Sequence, residues 1–156
     1  MRRPIKNRNI TSPDRIYNSQ KLAKFINYIM YDGKKDVSRK VVYRALDLIK
    51  EKTGNPNPLE IFDQAIKNAG PLLEVRSKRI GGANYQVPRE VRAERRLALS
   101  MRWLRDAARG GKGKPAHFKL ATELMAAAKG EGVAVKKKND MHRMAEANKA
   151  FAHFAW

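Results

Sequence analysis

Six stretches of this chain repeat one pattern, with apolar residues three and four apart, and the first five close on Gly or Pro. That period puts the apolar side chains on one face of an α-helix, and a chain that carries it six times must pack helix on helix. In 19–31, Leu22, Phe25, Ile26, Ile29 and Met30 share a face, Ser19 is a candidate N-cap, and Asp32-Gly33 ends the segment. In 36–52 the stripe is Val37, Val41, Ala45, Leu48 and Ile49, stopped by Gly54 and Pro56. In 58–69, Pro58 suits the first turn, and Leu59, Phe62, Ala65, Ile66 and Ala69 face inward before Gly70-Pro71. Segment 92–109 closes at Gly110-Gly111. Segment 115–129 buries Phe118, Ala121, Leu124, Met125 and Ala128 and closes at Gly130. The last, 137–152, buries Met141, Met144, Ala145 and Ala152, and Asn148 falls on the same arc as a hydrogen-bonded structural residue. No period of the solenoid kind stands out.

Between the third and fourth helices the rule changes. Residues 74–96 read EVRSKRIGGANYQVPREVRAERR. Segments 72–79 and 85–91 carry β-branched and aromatic residues, with Gly81-Gly82 between them, which predicts a β-hairpin over 72–91. Pro88 cannot donate to a ladder and belongs at a strand edge or end. Two strands alone are marginal in water, so the hairpin must lean on the helices, on a ligand, or on both. The expected fold is therefore mostly α: six helices in a single domain, residues 1–156, with one protruding basic hairpin.

The charge balance selects the partner. Against 34 Lys+Arg stand 15 Asp+Glu, a net charge of +19. Self-repulsion on that scale destabilises a compact state until counter-charge arrives, and nucleic acid is the polyanion that fits best. No apolar run reaches the roughly 18 residues of a membrane span. The first thirteen residues lack the apolar core of a secretory signal. Cysteine is absent, which excludes disulfides and Cys-ligated zinc.

The cations fall into groups. Arg2, Arg3, Lys6 and Arg8 form a basic N-terminal arm, 1–13, with no acid among them. A frayed terminus is the ordinary reading, and the overall charge favours an arm that orders on a polyanion. In 92–109, Ala93, Leu97, Met101, Leu104 and Ala108 share one arc, and Arg95, Arg102, Arg105 and Arg109 share the opposite one. Solvated faces usually mix signs, whereas only Glu94 and Asp106 interrupt here, and arginine's fork suits phosphate. Trp103 lies on neither arc and is expected to pack on a neighbouring helix. The hairpin carries Arg76, Lys78, Arg79 and Arg89 around its glycine tip. Such charge can protect an edge strand, or it can arm a probe for a nucleic-acid groove. Tyr85 can stack on a base or pack on the helix below, the second being slightly favoured. Lys34 and Lys35 lie in a helix–helix turn, and Lys136, Lys137 and Lys138 precede or open the last helix. Cations at a helix N-terminus oppose its dipole, and a bound phosphate reverses the sign.

Enzyme signals are weak. His117, His142 and His153 have no metal-ligand spacing and read as surface or capping residues. The run Gly110-Gly111-Lys112-Gly113-Lys114 lacks the spacing of a phosphate-binding loop and a preceding strand. No nucleophile–base set, metal site or cofactor site is nominated. A helix-turn-helix DNA-binding module built on the Asp32–Lys35 turn is the first rival, and a nucleic-acid-processing enzyme the second.

Several blocks occur in order: DGKK at 32–35, VVYRAL at 41–46, EVRSKRIGGANYQVPREVR at 74–92, LALSMRWL at 97–104 and AVKKKNDMHRMAEANKAFAHF at 134–154. Together they resemble the bacterial-type S-seven family of small-subunit ribosomal proteins from the arm to Trp156. The resemblance implies six helices with one protruding hairpin. It implies a non-catalytic primary binder of small-subunit ribosomal RNA that docks on the 3′ major domain and nucleates the head. It further implies a place near the exit-site transfer RNA and the messenger path, beside the small-subunit proteins numbered nine and eleven, on a cytoplasmic ribosome or an organellar one of bacterial type. Carried over, the ribosomal RNA contacts fall on Arg2, Arg3, Lys6, Arg8, Lys34, Lys35, Arg92, Arg95, Arg96, Arg102, Arg109, Lys136, Lys137 and Lys138. The hairpin residues near transfer and messenger RNA are Arg76, Lys78, Arg79, Gly81, Gly82 and Tyr85. Two features depart from the family. Its usual aromatic-Arg-Trp ending is Phe154-Ala155-Trp156 in the tail 153–156, so that C-terminal cation is missing, and the arm is poorer in arginine than some relatives.

Overall fold

The computed structural model describes residues 11–154. Before the first helix, the buried Asp14 carboxylate accepts from the Ile16 and Tyr17 N–H groups at 3.2 Å and from the Tyr43 hydroxyl at 2.6 Å. Helix α1, Gln20–Ile29, then starts as the sequence predicts: the Ser19 side chain accepts from Leu22 N–H. Helix α2, Lys35–Thr53, ends on Gly54 with φ 66°, the left-handed conformation that glycine adopts without strain. Helix α3, Pro58–Ala69, opens on its proline. Helices α4 (Ala93–Gly110), α5 (Ala116–Ala128) and α6 (Val133–Ala147) follow the hairpin, and a short 3-10 segment, Lys149–Phe154, comes after them. Among the described residues no helix is long and apolar enough to cross a membrane.

Helix α5 lies in the middle and packs against α2, α3 and α4. Leu22, Phe25, Ile26, Val42, Leu46, Ile49, Phe62, Met101, Leu104, Leu120 and Leu124 fill the core, with the Phe25 and Phe62 rings tilted at 5.1 Å. Trp103 is partly buried against this cluster, as expected of a residue between the two arcs of α4.

Four expectations are corrected. In α5 Leu120, Ala121, Leu124 and Ala127 are buried, while Phe118, Met125 and Ala128 are only partly so. In α2 the inward face is rotated: Val42 and Leu46 are buried, and Val37 is 58% exposed. In α4 Ala93 is exposed, and the buried face is Ser100, Met101 and Leu104. The last helix begins at Val133, four residues earlier than the periodicity predicts, and ends at Ala147. Its start is set from outside. Gly132 turns at φ 93°, and Glu123 of α5 accepts from the Ala134 N–H at 2.8 Å, a cap that the local sequence does not carry. In consequence Lys136, Lys137 and Lys138 lie within the helix. Ala145 is buried there, Met144 is half-exposed, and Ala152 is exposed in the 3-10 segment. Asn148 is the C-cap, its side-chain amide donating to the Met144 carbonyl at 2.8 Å.

The hairpin pairs β1, Leu73–Ile80, with β2, Ala83–Glu90, antiparallel, in a register running from Leu73 opposite Glu90 to Ile80 opposite Ala83. The strands reach the glycines, so the loop is only Gly81-Gly82, with φ 56° and 90°. Positive φ at both positions gives a turn whose twist matches that of the strands. The base of the hairpin packs on α6 and its middle on the 3-10 segment, and Arg79 and residues 81–84 at the tip are exposed.

Candidate nucleic-acid interface

The hairpin stem meets α4 through one carboxylate. Glu74 is 4% exposed, and its two oxygens accept from different arginines: Oε1 from Arg76 Nε at 2.8 Å and Oε2 from Arg95 Nε at 2.5 Å. Burial pushes this carboxyl up, but the Arg95 and Arg76 guanidiniums outweigh that and hold it below the usual carboxylate range. Each arginine side chain is about half-exposed, and each guanidinium has further N–H donors besides the Nε that Glu74 holds. Arg76, Arg89, Arg92 and Arg95 surround one hollow of about 250 Å³, against Glu74 and Glu90. Four cations against two anions leave that hollow positive.

Beside it, Arg96 crosses a bare backbone. Its Nε donates to the Gly70 carbonyl at 3.3 Å, and a Cβ on Gly70 would stand 2.9 Å from Arg96 Cγ and Nε. A side chain at position 70 would push this arginine aside. The first backbone amide after Pro71 is fixed as well. Leu72 N–H donates to His142 Nε2 at 2.9 Å, which requires that nitrogen unprotonated. Burial lowers the His142 pKa, and the nearby Lys138 and Arg96 charges add to the effect.

Further along α4 the arginines turn toward α1. Arg102 sits over the Tyr28 ring at 5.9 Å, and Arg109 sits over Tyr31 at 5.9 Å while donating to the Ile29 carbonyl at 3.0 Å. Arg105 pairs with Asp106 instead. The predicted stripe is thus a set of cations held individually by their neighbours. Lys34 and Lys35 are exposed at the start of α2, and Lys136 and Lys137 are exposed on α6 with Lys138 half-buried. Arg79, Gly81 and Gly82 stand exposed at the hairpin tip. Arg2, Arg3, Lys6 and Arg8 lie outside the described residues, as does the Ala155-Trp156 end of the tail.

Tyr85 is packed. Its ring meets Phe151 at 5.3 Å and Phe154 at 5.7 Å, and its cross-strand partner Lys78 donates from Nζ to the Phe154 carbonyl at 2.9 Å. The 3-10 segment thereby holds the middle of the hairpin, a contact that sequence reading missed because its partners stand far apart in the chain. Glu74 was also missed, as an acid within a basic run whose depth no local pattern reveals.

Comparisons with known proteins give the family. The family model for ribosomal protein S7p/S5e matches residues 1–149. The small ribosomal subunit protein uS7 of Caldanaerobacter subterraneus subsp. tengcongensis is 55% identical over 153 residues, 98% of this chain and 97% of the relative. That of Carboxydothermus hydrogenoformans is 56% identical over 155 residues, 99% of this chain and 98% of the relative. That of Thermotoga neapolitana is 53% identical over 156 residues, covering both chains in full. The chain belongs to the ribosomal protein S7p/S5e family and is a structural, non-enzymatic constituent of the small ribosomal subunit, with ribosomal RNA and other ribosomal proteins as its partners.

Proposed function

We propose that this chain acts as one domain that binds the 3′ major domain of small-subunit ribosomal RNA directly, as a primary binder that nucleates the head in the cytoplasm. The observation that carries this reading is the hollow of Arg76, Arg89, Arg92 and Arg95, which joins the hairpin to α4 in one positive surface. Phosphate neutralisation supplies the affinity, and the helical body fixes where the cations stand. Arg96, Arg102, Arg109 and the lysines at 34–35 and 136–138 extend that surface, and the arm cations at 2, 3, 6 and 8 add to it. The exposed hairpin tip at 79–84 is the part that approaches the exit-site transfer RNA and the messenger path. Tyr85 acts as its prop. The small-subunit proteins numbered nine and eleven are the neighbours this placement implies.

Footprinting on the isolated 3′ major domain tests the reading, together with affinity at two salt concentrations. Contacts to six to ten phosphates predict a fall of about a thousandfold or more between 50 and 200 mM salt. Arg92→Ala and Arg95→Ala should each lower the salt slope by about one. A flat salt response, or equal affinity for duplex DNA and the RNA domain at fixed salt, overturns it.

A further inference from the structure

Glu74 is an acid at the centre of a surface that attracts anions. It is buried in β1, and Arg89 stands opposite it across the hairpin. Its two oxygens are engaged by two different elements, Oε1 by Arg76 of β1 and Oε2 by Arg95 of α4. A carboxylate held at both oxygens and closed off from water cannot swing away when another anion comes.

Packing alone does not call for this residue. Buried charges are a poor source of stability beside apolar side chains of the same volume. What a fixed carboxylate adds is direction. Each guanidinium is held through Nε, so its remaining N–H groups are aimed one way. A phosphate can use those donors only if it arrives at the right place and angle. The same carboxylate subtracts one charge from the field of Arg76, Arg89, Arg92 and Arg95 around the hollow. Every polyanion feels that subtraction, because the field several ångströms out depends on net charge and not on angle.

The two effects act differently on two kinds of strand. One that binds by charge alone loses part of the attraction and gains nothing from oriented donors. A folded RNA whose phosphates match the donors offsets the loss with charge-assisted hydrogen bonds. Specificity is the difference between the two affinities, and a repulsion that only the matched ligand can offset enlarges it. We propose that Glu74 is a specificity determinant: it aims Arg76 and Arg95 at matching RNA phosphates and weakens the hold on polyanions that do not match. This rests on the RNA-binding reading above and gives an acidic residue within that surface the task of rejecting unmatched strands.

The full chain and three variants are titrated at fixed salt against the isolated 3′ major domain and against poly(U), at a temperature where circular dichroism shows them folded. Glu74→Gln removes the charge and keeps the shape. Its affinity for poly(U) should rise about threefold, the effect of one unit charge at roughly 7 Å in water, while its affinity for the domain should not rise. Glu74→Asp keeps the charge and withdraws the carboxylate by one methylene. Its affinity for poly(U) should stay at the parent value, and its affinity for the domain should fall about tenfold, the worth of one charge-assisted hydrogen bond. Glu90→Gln removes an exposed charge from the same hollow without touching the aimed donors, so both affinities should rise alike. Equal changes on both ligands in Glu74→Gln, as a purely structural residue would give, overturn the proposal. So does a Glu74→Asp variant that binds the domain like the parent, or a Glu90→Gln variant that narrows the ratio as much as Glu74→Gln. Should Glu74→Gln not fold, the Glu74→Asp result decides. A parent chain that binds poly(U) as tightly as the domain defeats the broader reading and this one with it. If the parent discriminates and both Glu74 variants keep its ratio, only the role of Glu74 is refuted.

Discussion

A carboxylate buried among arginines is held by charge as much as by packing, and Glu74 shows how far one residue can organise its surroundings. Glu74→Gln keeps the shape but gives the two guanidiniums a neutral partner. It should lower stability at pH 7 by about 1 to 3 kcal/mol in urea denaturation. The folded pKa of Glu74 is depressed, so its contribution is complete above the unfolded value near 4.3 and is lost as the pH falls through the folded value. The gap between the parent and Glu74→Gln should therefore shrink below about pH 4, and a gap constant down to pH 3 would contradict the ion-pair account. Tyr43 offers a second check. Burial, and then its hydrogen bond to Asp14, push its phenol up to about 12. Tyr43→Phe should cost about 1 to 2 kcal/mol, because Asp14 then stays buried with one partner fewer. The same raised pKa makes Tyr43 favour the native state below pH 10, and that help fades as the pH climbs toward 12. Absorbance titration of phenolate in the parent and in Tyr43→Phe would show whether the late-titrating phenol is this one.

At the scale of elements, the hairpin divides into a clamped stem and an exposed tip. Replacing 79–84 by Asn-Gly closes the strands at the Lys78–Tyr85 pair with a two-residue turn. The melting temperature should then move by no more than about 2 °C, since the deleted residues lie outside the core. Loss of the cooperative transition would mean that the tip supports the body. The helices themselves were legible because a buried stripe repeats every 3.6 residues, and α1 and α3 followed it closely, whereas α5 buries Leu120 and Ala127 where Phe118, Met125 and Ala128 were expected. Helix α2 did not follow it either, because Val37 is apolar without being buried. The start of α6 was hidden because its cap comes from Glu123 on another helix. In the candidate interface, periodicity found the arginine arc of α4, but it could not show that Arg95 turns to Glu74 while Arg109 turns to Ile29. Those choices depend on neighbours brought together only by the fold.

For the whole molecule, a net charge of +19 acts against compaction even with a complete core. Raising salt shortens the reach of that repulsion, from about 10 Å at 0.1 M to about 3 Å at 1 M. In the absence of RNA, the melting temperature should rise by a few degrees between 50 and 500 mM sodium chloride, about what 1 kcal/mol gives a chain of this length. Salt therefore works in opposite directions on the fold and on the complex, and a melting temperature that falls with salt would show that native ion pairs dominate instead. The clasp of Tyr85 and Lys78 on the 3-10 segment also has a consequence in time. A chain is made from its N-terminus, and the clasping residues, Lys149–Phe154, follow Glu90 by about sixty positions. At a synthesis rate of about 5 to 20 residues per second, the hairpin exists for roughly 3 to 12 seconds before the segment that braces it has been made. A nascent chain halted between the two would carry a finger with its stem formed and its brace missing.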